Sequence, residues 1–102
     1  MATIEMQMAL MKVKTALRIT EYDFEDELLD LMHSALLDLG IAGVNGGKAI
    51  ISDPLIRQAV ITYCKMNFGE PDEYDRLKRS YDEQKAQLSM SSGYTEWGGT
   101  DG

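Results

Sequence analysis

The residue types most capable of chemistry in this sequence are one histidine, one cysteine and a run of carboxylates. His33 and Cys64 are each the single residue of their type, and neither has a partner at the spacing of a metal site or of a nucleophile with its base. The sequence predicts that His33 is a partly buried structural residue and that Cys64 is a small core residue inside an apolar helix. We therefore expect no catalytic residue, no cofactor and no enzyme activity.

The carboxylates form an acidic run between Glu21 and Asp30, and they are the only candidate for a metal site. Such oxygen ligands suit Ca²⁺ or Mg²⁺, but the run lacks the central glycine and the ordered spacing of an EF-hand loop. Negative charge is also favoured at the first turn of a helix. The sequence therefore favours a solvated helix start over a metal site. The run consists of Glu21, Asp23, Glu25, Asp26, Glu27 and Asp30.

The segment Gly46-Gly47-Lys48 is similar to part of a phosphate-binding loop. Ala42 stands where that loop has its first glycine, and Ala49 stands where it has serine or threonine. The loop needs both positions for phosphate and magnesium. The sequence therefore does not predict nucleotide binding.

Composition limits the class of protein. A chain of 102 residues fits one domain with a real core. Its formal net charge of -7 argues against tight nucleic-acid binding, because such binding depends on lysine and arginine neutralising phosphates. The sequence has no apolar run long enough to cross a bilayer, so we expect no membrane span. Because it has a single cysteine, we expect no intramolecular disulfide, and synthesis in a cytoplasm fits best.

Apolar residues at intervals of three and four predict four helices and an all-α fold. Asp23 is the expected N-cap of the second helix. The third helix is expected to begin at Asp53-Pro54, where Pro54 suits the first turn, and Gly69 can end it before Pro71. The fourth helix is expected to pair Asp72 with Arg76 and Asp75 with Arg79. The predicted helices span about residues 6–18, 24–40, 54–68 and 72–88.

The second and third helices carry the broadest apolar stripes, and these are predicted to form the core together. Their periodic positions have no other shared surface. The residues expected to be buried between them are Leu28, Leu31, Leu36, Ile56, Val60 and Tyr63.

Between these two helices, residues 40–52 are rich in glycine and carry an Asn45-Gly46 pair. Asn-Gly between short apolar runs is a strong indication of a β-hairpin. An isolated hairpin is marginal in water, so this arm is expected to contact another subunit or partner. The contact residues predicted on it are Ile41, Val44, Asn45, Lys48 and Ile50.

The sequence after Leu88 consists mostly of serine, glycine and threonine, which predicts a flexible tail over residues 89–102 behind a helical domain over residues 1–88. Tyr94 and Trp97 are the large side chains in this tail. Aromatic residues are favoured anchors in interfaces. The tail is therefore either a docking segment with Tyr94 and Trp97 as anchors or a dangling end with incidental aromatics.

Several runs of this sequence resemble the small head-to-tail connector (adaptor) proteins of tailed bacteriophages. The resemblance covers roughly residues 10–94 and rests on the helix pattern and on a few word-like segments. These are Val13-Lys14-Thr15-Ala16-Leu17-Arg18-Ile19, Asp23-Phe24-Glu25-Asp26-Glu27-Leu28-Leu29, Asp53-Pro54-Leu55-Ile56 and Gly69-Glu70-Pro71. The long Gly-rich arm departs from the commoner pattern of the family.

The resemblance implies a structural protein of the virion, placed at the head–tail junction after assembly in the bacterial cytoplasm. It implies a homo-oligomeric ring of about twelve subunits, built from heterologous contacts. The partners it implies are the portal protein, the next head-completion or tail component, and viral DNA passing through the channel without sequence-specific binding. The tail is expected to become ordered on docking. The alternative is a small acidic helical interaction module or regulator that does not form rings.

Overall fold

The computed structural model describes residues 4–41, 51, 53–69 and 71–90, and these residues form four helices with no strand among them. The helices are α1 (Ile4–Leu17), α2 (Glu25–Ile41), α3 (Pro54–Asn67) and α4 (Tyr74–Met90). The all-α prediction is confirmed, and each helix lies within a turn of its predicted bounds. The first and last helices each extend slightly beyond the predicted range, to Ile4 and to Met90.

The third helix is the centre of the fold, because α3 contacts α1, α2 and α4. Its ends follow the sequence prediction. The Asp53 side chain accepts hydrogen bonds from the backbone N–H groups of Leu55 at 2.8 Å and Ile56 at 3.2 Å, with Pro54 in the first turn. Gly69, just beyond the helix, has a φ of +69°. That left-handed conformation suits glycine, which has no Cβ to clash.

One hydrophobic core runs through all four helices. Leu28, Ile56 and Val60 are fully buried as predicted, whereas Leu31, Leu36 and Tyr63 are only partly buried and pack against the edge of the core. The fully buried face of α2 follows a spacing of four, three and four residues, and Leu31 and Leu36 lie on either side of it. That face consists of Leu28, Met32, Ala35 and Leu39.

The end of α1 is closed by a Schellman motif that contains no glycine. The backbone N–H of Ile19 donates to the carbonyl of Lys14 at 2.8 Å, and the N–H of Arg18 donates to the carbonyl of Thr15 at 3.1 Å. Arg18 occupies the left-handed position of this motif, with a φ of +60°. The chain thereby reverses and enters α2.

A buried lysine fastens this reversal. The Lys14 side chain is 9% exposed, and its Nζ lies 2.8 Å from Oε2 of Glu25, the first residue of α2. The same Nζ lies 4.9 Å from the centre of the Tyr22 ring. Pairing is what makes a nearly buried ammonium tolerable. The acidic start of α2 is therefore linked to α1 through one of its carboxylates.

A second polar cluster joins α2 to α4. The Tyr81 hydroxyl donates to Oδ2 of Asp38 at 2.6 Å, and the Lys85 ammonium donates to the same oxygen at 3.1 Å. Tyr63 of α3 packs edge-on against Tyr81, with ring centres 5.3 Å apart. This Asp38 cluster ties together two helices that otherwise meet mainly through α3.

Both ion pairs predicted on α4 are wrong. Arg76 pairs with Glu73 rather than with Asp72, and Lys78 pairs with Asp82 at 3.0 Å. Asp75 and Arg79 form no ion pair with each other among the described residues. The helix begins at Tyr74, so Asp72 and Glu73 both precede it, and Glu73 is the carboxylate that pairs with Arg76.

The predicted arm and tail lie mostly outside the described residues. Ile41 is the last residue of α2, and Val44, Asn45, Lys48 and Ile50 fall in the part that is not described. Ser89 and Met90 belong to α4, while Tyr94 and Trp97 lie beyond it. The hairpin arm, the flexible tail and the division at residue 88 therefore stay predictions.

Candidate assembly surfaces

The residues that suggested chemistry do not form a reactive site. Cys64 is fully buried as predicted, and burial raises the pKa of its thiol to about 12, so that almost no thiolate exists at neutral pH. His33 is exposed on α2, and the prediction of partial burial is wrong. No group of three or more His, Cys, Asp or Glu side chains within the described ranges is arranged to hold a metal ion.

The acidic run lies at the start of α2, largely in solvent. Asp26, Glu27 and Asp30 are exposed, and Glu25 is the member that pairs with Lys14. Carboxylates in this position interact favourably with the N-terminal end of the helix. The run is thus a solvated helix start that makes one face of the domain strongly negative.

The outward face of α1 carries an apolar stripe that sequence reasoning missed. Ile4, Met8 and Met11 are 76%, 62% and 64% exposed. Their spacing of four and three places them on one side of the helix, opposite the side that buries Leu10 and Val13. The same spacing in the sequence could have revealed the stripe, but the intervals that predict α1 belong to its buried side.

A groove opens where the ends of α1 and α3 meet the start of α4. It has a volume of about 310 Å³ and is lined by both apolar and charged residues. Phe24 packs edge-on against Phe68 at 5.3 Å between ring centres and so holds one wall in place. The groove is lined by Ala16, Leu17, Lys65, Phe68, Pro71, Glu73, Arg76 and Leu77.

The predicted arm lies between the end of α2 and a buried residue that precedes α3. Ile41 ends α2, and Ile51 is only 5% exposed and belongs to the hydrophobic core. The structure does not bring the predicted arm residues together with Tyr94 or Trp97, because these residues lie outside its described part. The α1 stripe and the groove are candidate contact surfaces that the structure reveals and the sequence analysis did not predict.

Comparison of the sequence with models of known protein families shows which family the chain belongs to. A family model described as phage connector protein matches residues 9–95, which is most of the chain and nearly all of the four helices. The chain belongs to the phage connector protein family. The matched range agrees with the resemblance seen over residues 10–94. No curated protein and no solved structure matches the connector.

Family membership changes how the surfaces are interpreted. The connector is a structural component of a phage, so its exposed apolar stripe and its groove are candidate protein contacts rather than substrate sites. No helix within the described residues has the length and apolar character of a membrane span.

Proposed function

We propose that this connector is one subunit of a homo-oligomeric ring of about twelve copies that docks beneath the portal and forms part of the channel for viral DNA. The ring would assemble in the host cytoplasm and bind the portal on one side and the next head-completion or tail component on the other. The observation that carries the proposal is the outward apolar stripe of α1, together with the family match.

The α1 stripe supports assembly because it leaves this helix apolar on two opposite sides. One side packs into the core through Leu10 and Val13, and the other exposes Ile4, Met8 and Met11. A helix that is apolar all round is normally buried on all sides. Methionine side chains are also flexible and adapt to a partner surface. Contact with a neighbouring protein would remove this stripe from water.

The charge of the chain supports a channel that lets DNA pass without holding it. The formal net charge is -7, and two cations of α4, Arg76 and Lys78, are paired with the carboxylates of Glu73 and Asp82. Tight binding to phosphates would need unpaired cations along one surface. An acidic ring would instead repel the DNA backbone on all sides.

The proposal is tested by the size of the full-length protein in solution, alone and with purified portal protein. Sedimentation velocity and electron microscopy should show a ring of uniform diameter. The double variant Met8→Ser, Met11→Ser should lose the ring while its helix content by circular dichroism is unchanged. Leu37→Ser is the matched control, since Leu37 is 71% exposed on α2 and lies on a different face.

Two outcomes would count against the proposal, the first against the ring and the second against the α1 stripe as its interface. A connector that stays monomeric at high concentration and with portal protein would instead be an interaction module that binds one partner without forming rings. A double variant that assembles as well as the wild type would remove the α1 stripe from the interface.

A further inference from the structure

We propose that the groove at the start of α4 binds the C-terminal segment, residues 91–102, of the adjacent subunit. Trp97 would pack on the apolar residues of the lining, and Glu96 would face its cations. This inference rests on the proposed ring and names one of its subunit contacts. It gives the segment a partner of known chemistry, namely a second copy of this chain.

The lining of the groove combines apolar surface with positive charge. Leu17, Phe68 and Leu77 contribute apolar surface, and Lys65 and Arg76 contribute two cations. Arg76 is paired with Glu73, and the charge of the exposed Lys65 ammonium also acts on the Glu73 carboxylate, although no ion pair joins Lys65 to a described residue. The groove therefore carries a net positive charge on a chain whose formal net charge is -7.

The C-terminal segment has the complementary chemistry. Residues 91–102 contain Glu96 and Asp101 but no lysine or arginine, and they contain Trp97, the one tryptophan of the chain. Gly98 and Gly99 follow Trp97 directly, so the backbone can approach a surface closely at this point. A tryptophan that fills a pocket is a frequent anchor of protein interfaces.

The length of α4 favours the neighbouring subunit over the same chain. The groove lies at the start of α4 and the segment follows its end, and from Arg76 to Met90 the helix rises about 21 Å. A fully extended chain from Met90 to Trp97 reaches about 24 Å. The extended chain is therefore only slightly longer than the helix, which leaves too little length for the chain to turn back and also cross to the groove. A groove and a segment at opposite ends of one helix instead suit a head-to-tail contact.

Recognition can be measured in trans, independently of ring formation. The full-length variant Trp97→Ala contains no tryptophan, so fluorescence anisotropy of a synthetic peptide of residues 91–102 reports peptide binding alone. Lys65→Glu in the protein should weaken this binding about fivefold. Lys12→Glu is the matched control, because it makes the same charge change at an exposed position of α1 outside the groove.

A charge exchange tests the assigned pair. A peptide with Glu96→Lys should bind the Lys65→Glu protein more tightly than the wild-type peptide does. The same peptide should bind the protein that keeps Lys65 more weakly than the wild-type peptide does. Absence of peptide binding, or equal effects of Lys65→Glu and Lys12→Glu, would overturn the assignment of the groove. Circular dichroism of each variant checks that the helices are intact.

The tryptophan emission of the wild-type protein shows whether the C-terminal segment binds the adjacent subunit, its own chain or the portal protein. Emission should shift to shorter wavelength over the concentration range in which sedimentation shows assembly. A shift already present in the dilute monomer would mean that the segment folds back on its own chain. A shift that appears only after portal protein is added would mean that the portal takes the segment. Either result would overturn this inference, while sedimentation alone decides whether the ring exists.

Discussion

At the scale of single residues, Arg18 is the described non-glycine residue that adopts a left-handed backbone, with a φ of +60°. For an L-residue this conformation costs about 1–2 kcal/mol, because Cβ approaches the following carbonyl oxygen. The two hydrogen bonds of the Schellman motif hold Arg18 in place and direct the chain from α1 toward α2. The reversal therefore tolerates a small local strain to position the first two helices.

We predict that Arg18→Gly is more stable than Arg18→Ala by about 1 kcal/mol. Both variants remove the exposed arginine side chain, so the difference isolates the backbone conformation. The greater flexibility of unfolded glycine reduces the gain but does not reverse it. Urea denaturation of the two variants checks the prediction, and equal midpoints would show that the reversal carries no strain.

Burial inside α2 gives a second prediction at this scale. Leu28 is fully buried, whereas Leu31 lies at the edge of the core. Leu28→Ala should lower the free energy of unfolding by about 2–4 kcal/mol, and Leu31→Ala should lower it by clearly less, since less apolar surface and less cavity are involved. Chemical denaturation in which the two variants lose the same stability would contradict the assigned face of α2.

At the scale of elements, the Asp38 cluster is the main polar link between α2 and α4. Burial alone would raise the pKa of Asp38, but the hydrogen bonds from Tyr81 and Lys85 outweigh burial and hold this pKa below its ordinary value of 3.8. Burial and the neighbouring Asp38 carboxylate raise the pKa of the Tyr81 hydroxyl. Tyr81 therefore stays protonated and keeps donating to the carboxylate across the physiological range.

We predict that the Asp38 cluster stabilises the fold above the ordinary aspartate pKa and loses this contribution in acid. Because the pKa of Asp38 is lower in the folded state, the unfolded state takes up a proton more readily as the pH falls. The free energy of unfolding therefore decreases as the pH drops below 3.8 and through the lowered pKa of the folded state. Asp38→Asn should lower the free energy of unfolding by about 1 kcal/mol at neutral pH. Denaturation curves of the two proteins should converge once the pH lies below the lowered pKa of Asp38 in the folded state. A constant difference at every pH would contradict the ionic character of the link.

The elements themselves were largely predictable from local patterns. Pro54 and Gly69 mark the ends of α3 through backbone chemistry that depends on few neighbours, and the structure confirms both. The Asp38 cluster was not predictable, because Asp38 and Tyr81 are far apart in sequence and meet only once α3 has brought their helices together. The left-handed Arg18 was missed because arginine has no preference for that conformation.

At the scale of the whole molecule, the surfaces were harder to predict than the core. A buried stripe has one partner within the chain, whereas the outward stripe of Ile4, Met8 and Met11 has none among the described residues. The groove requires three helix ends to converge, which no local pattern encodes. The predicted contacts on the arm and tail fall outside the described residues, so they rest on sequence alone.

The arm gives a prediction at this scale. Replacing Val44 and Ile50 by serine should weaken ring or complex formation, because exposed apolar side chains beside a glycine turn favour contact with a partner. Helix content by circular dichroism should be unchanged, since both positions lie outside the four helices. Analytical ultracentrifugation compares the assembly of the two proteins. Unchanged assembly would remove the arm from the interface.

The buried thiol on α3 offers a way to time the opening of each subunit. Cys64 is the one cysteine, none of its surface is exposed, and its high pKa leaves it unreactive until water enters. Since α3 contacts every other helix, a thiol reagent can reach Cys64 only when the centre of the domain separates. Labelling rates of dilute and assembled protein would therefore report how strongly neighbours hold a subunit closed, from a position buried inside the domain.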